Sequence, residues 1–296
     1  MLASRFASRS PSLRSDRPLS DEQIRAVAPS IFAEAAHESR SARYTYIPTI
    51  EVLAGLRREG FEPFMVCQTP VRHEHKREHT KHMIRLRHAD QITGREANEI
   101  ILLNSHDGTS SYQMLAGLFR FVCSNGMVCG ETAGDIRVRH NGDVVGEVIE
   151  GAFQVLESFG QADEQREAMQ ALIVNPGEQA AFARAALALK YDQEDGAAPV
   201  TESQLLMPRR FEDRRDDLWT TFNRVQENLV KGGLEGRSRN GRATRTRPVS
   251  GIDQNVKLNR ALWVLAEEMR RLKALSNDPA ARGDRQDIGD SGHVRR

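Results

Sequence analysis

The spacing of apolar residues separates a mixed first half of the chain from a helical second half. It predicts one helix over about 21–36 and a second that begins at Pro48 and Thr49 and ends at Gly60. Beyond Val144 the apolar spacing is helical throughout. The helices predicted there cover about 147–174, 178–192, 212–230 and 253–275.

Three consecutive segments of the first half have the pattern of β-strands. Residues 61–71 are rich in β-branched and aromatic side chains, and residues 82–88 alternate between apolar and polar or basic positions. Residues 100–103 are continuously apolar, as in a strand that is covered on both faces. Their order along the chain predicts an antiparallel three-stranded meander.

The segment from Ser110 to Val122 is almost wholly apolar, with Gln113 and Arg120 as its polar interruptions. An apolar run of this length predicts a helix that is covered on most sides. The fold class expected from these elements is α+β. We expect an antiparallel three-stranded meander flanked by helices, followed by a helical C-terminal region.

Composition along the chain predicts the domain boundaries. Residues 1–20 are rich in Arg and Ser and are expected to form a flexible basic arm, and residues 21–142 the α+β core domain. Residues 143–275 are expected to form a helical region that packs on the core or mediates self-association into a homo-oligomer. Within it, residues 231–247 lack apolar periodicity and predict a mobile basic loop. The tail, residues 276–296, is expected to be disordered.

Composition also narrows the function classes. The 296 residues carry 42 Lys and Arg against 41 Asp and Glu, so any affinity for polyanions must come from local clusters of charge. The three cysteines form no C-x-x-C pair and no apolar run could span a bilayer, which favours a cytoplasmic protein. Motifs for nucleotide hydrolysis, dinucleotide binding and zincin chemistry are absent. The sequence therefore favours a binding protein without a cofactor over an enzyme.

The densest basic cluster is residues 72–88, RHEHKREHTKHMIRLRH, which also hold five of the nine histidines. Basic groups along a strand pair and its turn can follow a phosphate backbone. Nucleic-acid contacts are predicted here from Arg72, Lys76, Arg77, Lys81, Arg85 and Arg87. Two alternatives remain open, namely a solvated turn and a metal site built from His73, His75, His79 and His82.

A second set of basic residues lies outside this cluster. Arg120 is the only charge in its apolar run, so it must reach a carboxylate, solvent or a ligand phosphate. Residues 231–247, KGGLEGRSRNGRATRTR, alternate Arg with small residues, which leaves the backbone free to order along a nucleic acid. A solubilising linker is the alternative. The nucleic-acid contacts predicted from this set are Arg120, Arg237, Arg239, Arg242, Arg245 and Arg247.

Two polar motifs flank the apolar run, and the sequence assigns them no definite role. The first, Asn104-Ser105-His106-Asp107-Gly108, is expected to form a turn and cap the following helix, with acid-base chemistry at His106 and Asp107 as the alternative. The second, Cys123-Ser124-Asn125-Gly126, has the composition of a helix C-cap, with Cys123 as a small core residue.

Three segments resemble a domain-of-unknown-function family that is carried by plasmids, prophages and integrative elements. They are LLNSHDGTSSYQMLAGLFRFVCSNGMV, the upstream PSIFAEAAHESRSARYTYIPT and the downstream NVKLNRALW, and the likeness covers about residues 17–272. It implies a mobile-element setting in a bacterium. The predicted order of a helix, three strands with a basic hairpin and a helix is also similar to the core of single-strand annealing proteins.

The function expected from these observations is nucleic-acid binding, with single-stranded DNA bound or annealed through the basic hairpin and the 231–247 loop. A histidine- or metal-dependent hydrolase acting on nucleic acid or a nucleotide is one alternative. A protein-binding module that acts on a host defence or replication factor through the helical half is the other.

Overall fold

The computed structural model describes residues 11–41, 43–71, 76–92, 94–121, 125–130, 136–138, 144–191 and 197–277. The strands in these ranges are β1 (Ser12–Arg14), β2 (Phe61–Gln68), β3 (His82–His88), β4 (Glu96–Asn104), β5 (Tyr112–Arg120), β6 (Asn125–Val128), β7 (Ile136–Val138), β8 (Glu235–Arg237) and β9 (Ala243–Arg245). The helices are α1 (Asp21–Val27), α2 (Thr49–Arg58), α3 (Val144–Ala171), α4 (Pro176–Lys190), α5 (Glu202–Leu206), α6 (Leu218–Lys231) and α7 (Ile252–Asn277).

An antiparallel sheet organises the first half, as the α+β class requires. Its strands follow chain order from β1 to β6, and β7 pairs with the start of β5. Among the described residues the sheet therefore has seven strands. The predicted strands β2, β3 and β4 are neighbours in it, but they are the middle of a larger sheet and not a complete three-stranded unit.

The helix predicted over Ser110 to Val122 is wrong, because residues 112–120 form strand β5. Tyr112, Met114 and Leu118 pack in the main core, while Leu115 packs on the opposite face of the sheet. A strand that is covered on both faces has no apolar alternation, so its sequence pattern cannot be distinguished from that of a buried helix. Pairing with β4 and β6 overrides a local composition that favours helix.

One apolar core joins the sheet to the C-terminal helices. Trp219 stacks on Phe222 at a centroid distance of 5.5 Å, and Trp263 of α7 meets both rings edge-on. The Trp219 indole N–H also donates a 2.9 Å hydrogen bond to Glu96 Oε1 on β4. The cluster that contains these rings continues through Leu118 of the sheet, so the core crosses the boundary predicted near residue 143.

Four predicted boundaries differ from the structure. Residues 12–14 of the expected flexible arm form β1, which pairs with β2. The first predicted helix ends at Val27 because Pro29 follows, and a 3-10 turn continues to Phe32. Within the expected loop 231–247, β8 and β9 form a hairpin. Helix α7 extends to Asn277, and residues 278–296 of the predicted tail lie outside the described residues.

No helix in the described ranges is long and apolar enough to cross a membrane.

Truncating Trp263 should destabilise both halves of the protein together. The W263A variant removes the ring that meets Trp219 and Phe222, and we expect the free energy of unfolding to fall by about 3–5 kcal/mol. The matched control L275A, at an exposed position of the same helix, should change it by less than about 0.5 kcal/mol. Urea unfolding followed by circular dichroism and by fluorescence tests this, and non-coincident transitions would contradict a shared core.

Candidate nucleic-acid interface

The two β3 arginines predicted to contact nucleic acid are buried within the protein. Arg85 and Arg87 are 2% and 1% exposed, and both donate to the carboxylate of Glu99, at 2.5 Å and 2.9 Å. Glu99 lies directly opposite Arg87 on β4 and is itself fully buried. Arg87 is therefore a structural residue. The signal for this arrangement was Glu99, an acid placed directly before the apolar run of β4.

Aromatic rings contact Arg87 in the ion triad that Arg85, Arg87 and Glu99 form. The Arg87 guanidinium lies 3.5 Å from the centroid of the Phe119 ring and 4.6 Å from that of Phe64, so cation–π contacts add to its ion pair. Gly126 of β6 lies so close to the Arg85 guanidinium that a Cβ atom there would collide with it. Asn125 and Gly126 thus begin a strand beside Arg85, and the predicted helix C-cap at this position is wrong.

Two further residues that were predicted to contact nucleic acid form ion pairs within the protein. Lys81 Nζ lies 2.9 Å from Asp253 at the start of α7, and Arg120 Nη1 lies 2.7 Å from the buried Asp213. The structural ion pair that the sequence left open for Arg120 is confirmed. Lys76 and Arg77 are exposed in the connection between β2 and β3. Arg72 and Cys123 lie outside the described residues.

The Asn104–Gly108 motif connects two strands and caps no helix. Asn104 ends β4, Ser105 and His106 are buried, and the chain turns through Asp107 and Gly108 into β5. Gly108 has φ 74°, a left-handed conformation that a glycine adopts without strain. The turn prediction is confirmed, whereas the helix-capping role is lost together with the predicted helix.

The hydrogen bonds of the buried histidine network beside this turn assign the donor and acceptor nitrogens of His82. Gln68 Oε1 accepts from both the amide and the hydroxyl of Ser30, at 3.1 Å and 2.8 Å, so Ser30 Oγ is left to accept from His82 Nδ1. Asn104 Nδ2 donates to Thr49 Oγ1, whose hydroxyl is then free to donate to His82 Nε2 at 3.0 Å. The network selects the neutral Nδ1–H tautomer of His82.

Other histidines gather around the same network without forming a metal site that the structure describes. The ring centroid of His106 lies 5.3 Å from that of His82, and those of His37 and His79 are 5.2 Å apart. In the part of the chain that the structure describes, no group of three or more His, Cys, Asp or Glu side chains could hold a metal ion. His73 and His75 of the predicted metal set lie outside that part.

The arginines of the 231–247 segment, in contrast, are exposed on the β8–β9 hairpin. The hairpin is held by backbone hydrogen bonds from Arg237 to Pro199 and from Gly233 to Thr246, at 3.0 Å and 2.8 Å. The Gln204 side chain anchors it further through the carbonyl of Glu235, at 2.7 Å. The exposed arginines are Arg237, Arg239, Arg242, Arg245 and Arg247.

A groove of about 430 Å³ lies between this hairpin and the C-terminal end of α4. Lys190 joins the end of α4 to α6 and to the segment that follows the hairpin, by donating to the carbonyls of Leu229 and Arg247, at 2.7 Å and 3.2 Å. The described residues that line the groove include Tyr191 and four of the hairpin arginines, and none is acidic. The sequence patterns did not reveal Lys190 or Tyr191, because they are distant from the hairpin in the chain.

A family model described as "Domain of unknown function (DUF932)" matches residues 36–263. The chain belongs to this family. The DUF932 match begins just before His37 and ends at Trp263, and it includes strands β2 to β7 and the arginine-rich hairpin. It confirms the predicted resemblance to a domain-of-unknown-function family.

The chain is also similar to two curated Escherichia coli (strain K12) proteins. UPF0380 protein YfjQ and UPF0380 protein YafZ are each 59% identical to it over 268 residues, which are 90% of this chain and 97% of each relative. No solved structure matches. The similarity therefore extends over almost the whole length of this DUF932 protein and of both relatives.

Removing the charge of Glu99 should leave two arginines buried without a counter-charge. We expect E99Q to lower the free energy of unfolding by about 3–5 kcal/mol, as measured by urea denaturation. The control E235Q, at an exposed carboxylate of the hairpin, should leave stability within about 0.5 kcal/mol of the wild type. Equal stability of E99Q and wild type would show that the triad is not structural.

Acid should destabilise the fold through His82. Burial lowers the pKa of His82 well below 6.5 in the folded chain, and burial also lowers the pKa of His79. Since the unfolded chain then binds more protons, stability is complete above about pH 6.5 and is lost as the pH falls below it. We expect H82Q to be less stable at neutral pH and to show a shallower decline between neutral and mildly acidic pH. An unchanged decline, measured by urea unfolding, would contradict this role of His82.

Proposed function

We propose that this protein binds nucleic acid, with single-stranded DNA as the preferred form, through the β8–β9 hairpin and the groove beside it. The observation that carries the proposal is the exposure of five arginines on one short hairpin. Among the described residues these arginines form one ion pair, between Arg245 and Glu235 at 3.9 Å, and the carboxylate is almost wholly exposed, so solvent screens the pair. The hairpin therefore keeps its positive charge available.

Phosphate contacts of this kind bind without sequence preference. Each arginine that reaches a phosphate releases condensed counterions, which makes affinity fall with salt. For a single strand the slope of log affinity against log salt is about −0.7 for each contact, so five contacts correspond to about −3.5. Arginine also stacks on bases and offers paired donors to a phosphate.

The groove favours a single strand over a duplex. Its wall contains the partly exposed Tyr191 ring, which offers a stacking surface to an unpaired base. Lys190 lies 5.4 Å from the centroid of that ring and keeps positive charge beside it. A paired base in a duplex does not present its face to such a ring, so the aromatic contact discriminates in favour of single-stranded DNA.

We propose DNA binding as the function. Annealing of DNA strands, and a place for this protein in a mobile genetic element, remain expectations from the sequence. The likeness to single-strand annealing proteins depended on a helix after the third predicted strand, and β5 occupies that position. Likewise, the β3 arginines of the predicted hairpin face Glu99. Residues 235–247, and not residues 72–88, therefore support nucleic-acid binding. A hydrolase that uses His106 has less support, because its side chain is fully buried.

Neutralising hairpin arginines should weaken DNA binding and flatten its salt dependence. The triple variant R237Q/R239Q/R242Q removes three of the proposed phosphate contacts, so the slope of log affinity against log salt should decrease by about 2. Fluorescence anisotropy with a labelled oligothymidylate at several salt concentrations measures this, and a duplex of equal length tests the strand preference.

The matched control neutralises three exposed arginines elsewhere, in R184Q/R215Q/R271Q. It changes the net charge equally and should keep the wild-type salt slope. If both triple variants weaken DNA binding equally, the effect comes from overall charge and the hairpin interface is contradicted. Absence of DNA binding by the wild type at low salt would also contradict it.

A further inference from the structure

A second cavity, of about 340 Å³, lies on the opposite face of the sheet from the main core. Its walls come from β1, β2, β3 and β6, the end of α6 and the start of α7. Its polar lining includes Arg14, Arg85, Lys231, Gln226, Asn255 and Ser250. None of the hairpin arginines lines this cavity. The two sites are adjacent in the chain, because Arg247 lines the groove beside the hairpin and Pro248 lines the cavity.

The lining of this cavity is positively charged. Arg14, Arg85 and Lys231 are its charged members, and none of its described lining residues is acidic. Lys231 is engaged by Glu227 at 2.8 Å. Among the described residues no carboxylate lies within ion-pair distance of Arg14, whose guanidinium lies 5.1 Å from the centroid of the Phe119 ring. Two guanidinium groups, those of Arg85 and Arg87, share the single carboxylate of Glu99 behind the cavity.

Arg85 directs unused donors towards the cavity. Its hydrogen bonds to Glu99 and to the Met127 carbonyl both leave from Nη1. Nε and Nη2 make none within the described structure, and they are not enclosed by protein atoms although the side chain is 2% exposed. Because Arg85 lines the cavity, we infer that these N–H groups are accessible from it. Gly126 leaves room for the guanidinium at this position, since a Cβ atom would collide with it.

Two further features fit an anionic ligand. Ser250, Gly251 and Ile252 bring the N-terminal end of α7 to the cavity wall, where first-turn amides and the helix dipole favour negative charge. Burial raises the pKa of the Cys67 thiol to about 12, so this lining residue stays neutral. Met65 and Met83 complete an apolar side that could contact a sugar or a base.

We propose that this cavity binds the phosphate group of a nucleotide-sized ligand, with Arg14 and Arg85 as its phosphate contacts. The volume is at the lower end of the range for small-molecule sites and accommodates one nucleotide. Bidentate guanidinium contacts recognise a terminal phosphate more strongly than a phosphodiester, because the terminal group carries more charge and more free oxygens. The ligand is either a free mononucleotide or the phosphorylated end of a DNA strand. The proposal does not depend on the hairpin interface.

Calorimetric titration of the full chain with thymidine 5′-monophosphate and with thymidine tests the phosphate contact. The monophosphate should bind at least about tenfold more tightly, and R14Q should abolish that difference. Arg14 is suitable because it lies at an exposed position of the short edge strand β1. Arg17, an exposed arginine that follows β1, gives the control R17Q, which should retain the preference.

Independent variants separate this site from the fold and from the hairpin. G126A displaces the Arg85 guanidinium and should also remove the preference for the monophosphate, while circular dichroism checks that the variant is folded. R237Q/R239Q/R242Q should leave it unchanged. Equal affinity for monophosphate and thymidine in the wild type, no binding of either, or the same loss in R17Q as in R14Q would overturn the proposal.

Competition by oligonucleotides identifies the source of the phosphate. If a 5′-phosphorylated oligonucleotide displaces the mononucleotide from R237Q/R239Q/R242Q and its 5′-hydroxyl counterpart does not, the site receives a strand end. If neither displaces it, the site receives the free nucleotide. Both results support a phosphate site. Equal displacement by both oligonucleotides would contradict recognition of a terminal phosphate.

Discussion

The shared carboxylate of Glu99 is the interaction on which the rest of the structure depends. It holds Arg85 and Arg87 inside the sheet, where an unpaired guanidinium would be strongly destabilising. Through Arg87 the triad positions Phe64 and Phe119, and through Arg85 it limits the neighbouring strand to a glycine at position 126. One negative charge for two positive charges also leaves this side of the sheet positive. The same residues thus stabilise the fold and create the electrostatic field of the second cavity.

Burial and exposure divide the basic residues into two groups with different roles. Arg87 and Arg120 have carboxylate partners and connect elements of the fold, so a ligand would have to displace those partners. Arg85 is also paired with Glu99, but only through Nη1. The arginines of the β8–β9 hairpin extend into solvent from a support formed by α4 and α5. A net charge of +1 for the whole chain hides this separation. The proposed interface with nucleic acid therefore depends on local charge that is placed on a short hairpin.

Sequence patterns predicted much of the fold but failed where tertiary contacts determine the conformation of an element or the partner of a side chain. Amphipathic spacing identified α2, α4, α6 and α7, and alternation identified β3 with its apolar and basic faces. For β5 the pattern failed, since both of its faces are covered. Arg85 was predicted to contact nucleic acid because a charge on a strand normally faces away from the core, and its partner Glu99 lies on the next strand. Exposure of the 231–247 arginines was predictable from their Gly- and Ser-rich context.

Hydrogen exchange of the full chain, with and without single-stranded DNA, would locate the interface. Our proposal predicts slower exchange of backbone amides in the β8–β9 hairpin and at the end of α4 when DNA is bound, with little change in β3, whose amides are already paired within the sheet. Protection confined to the connection between β2 and β3, with an unaffected hairpin, would contradict it.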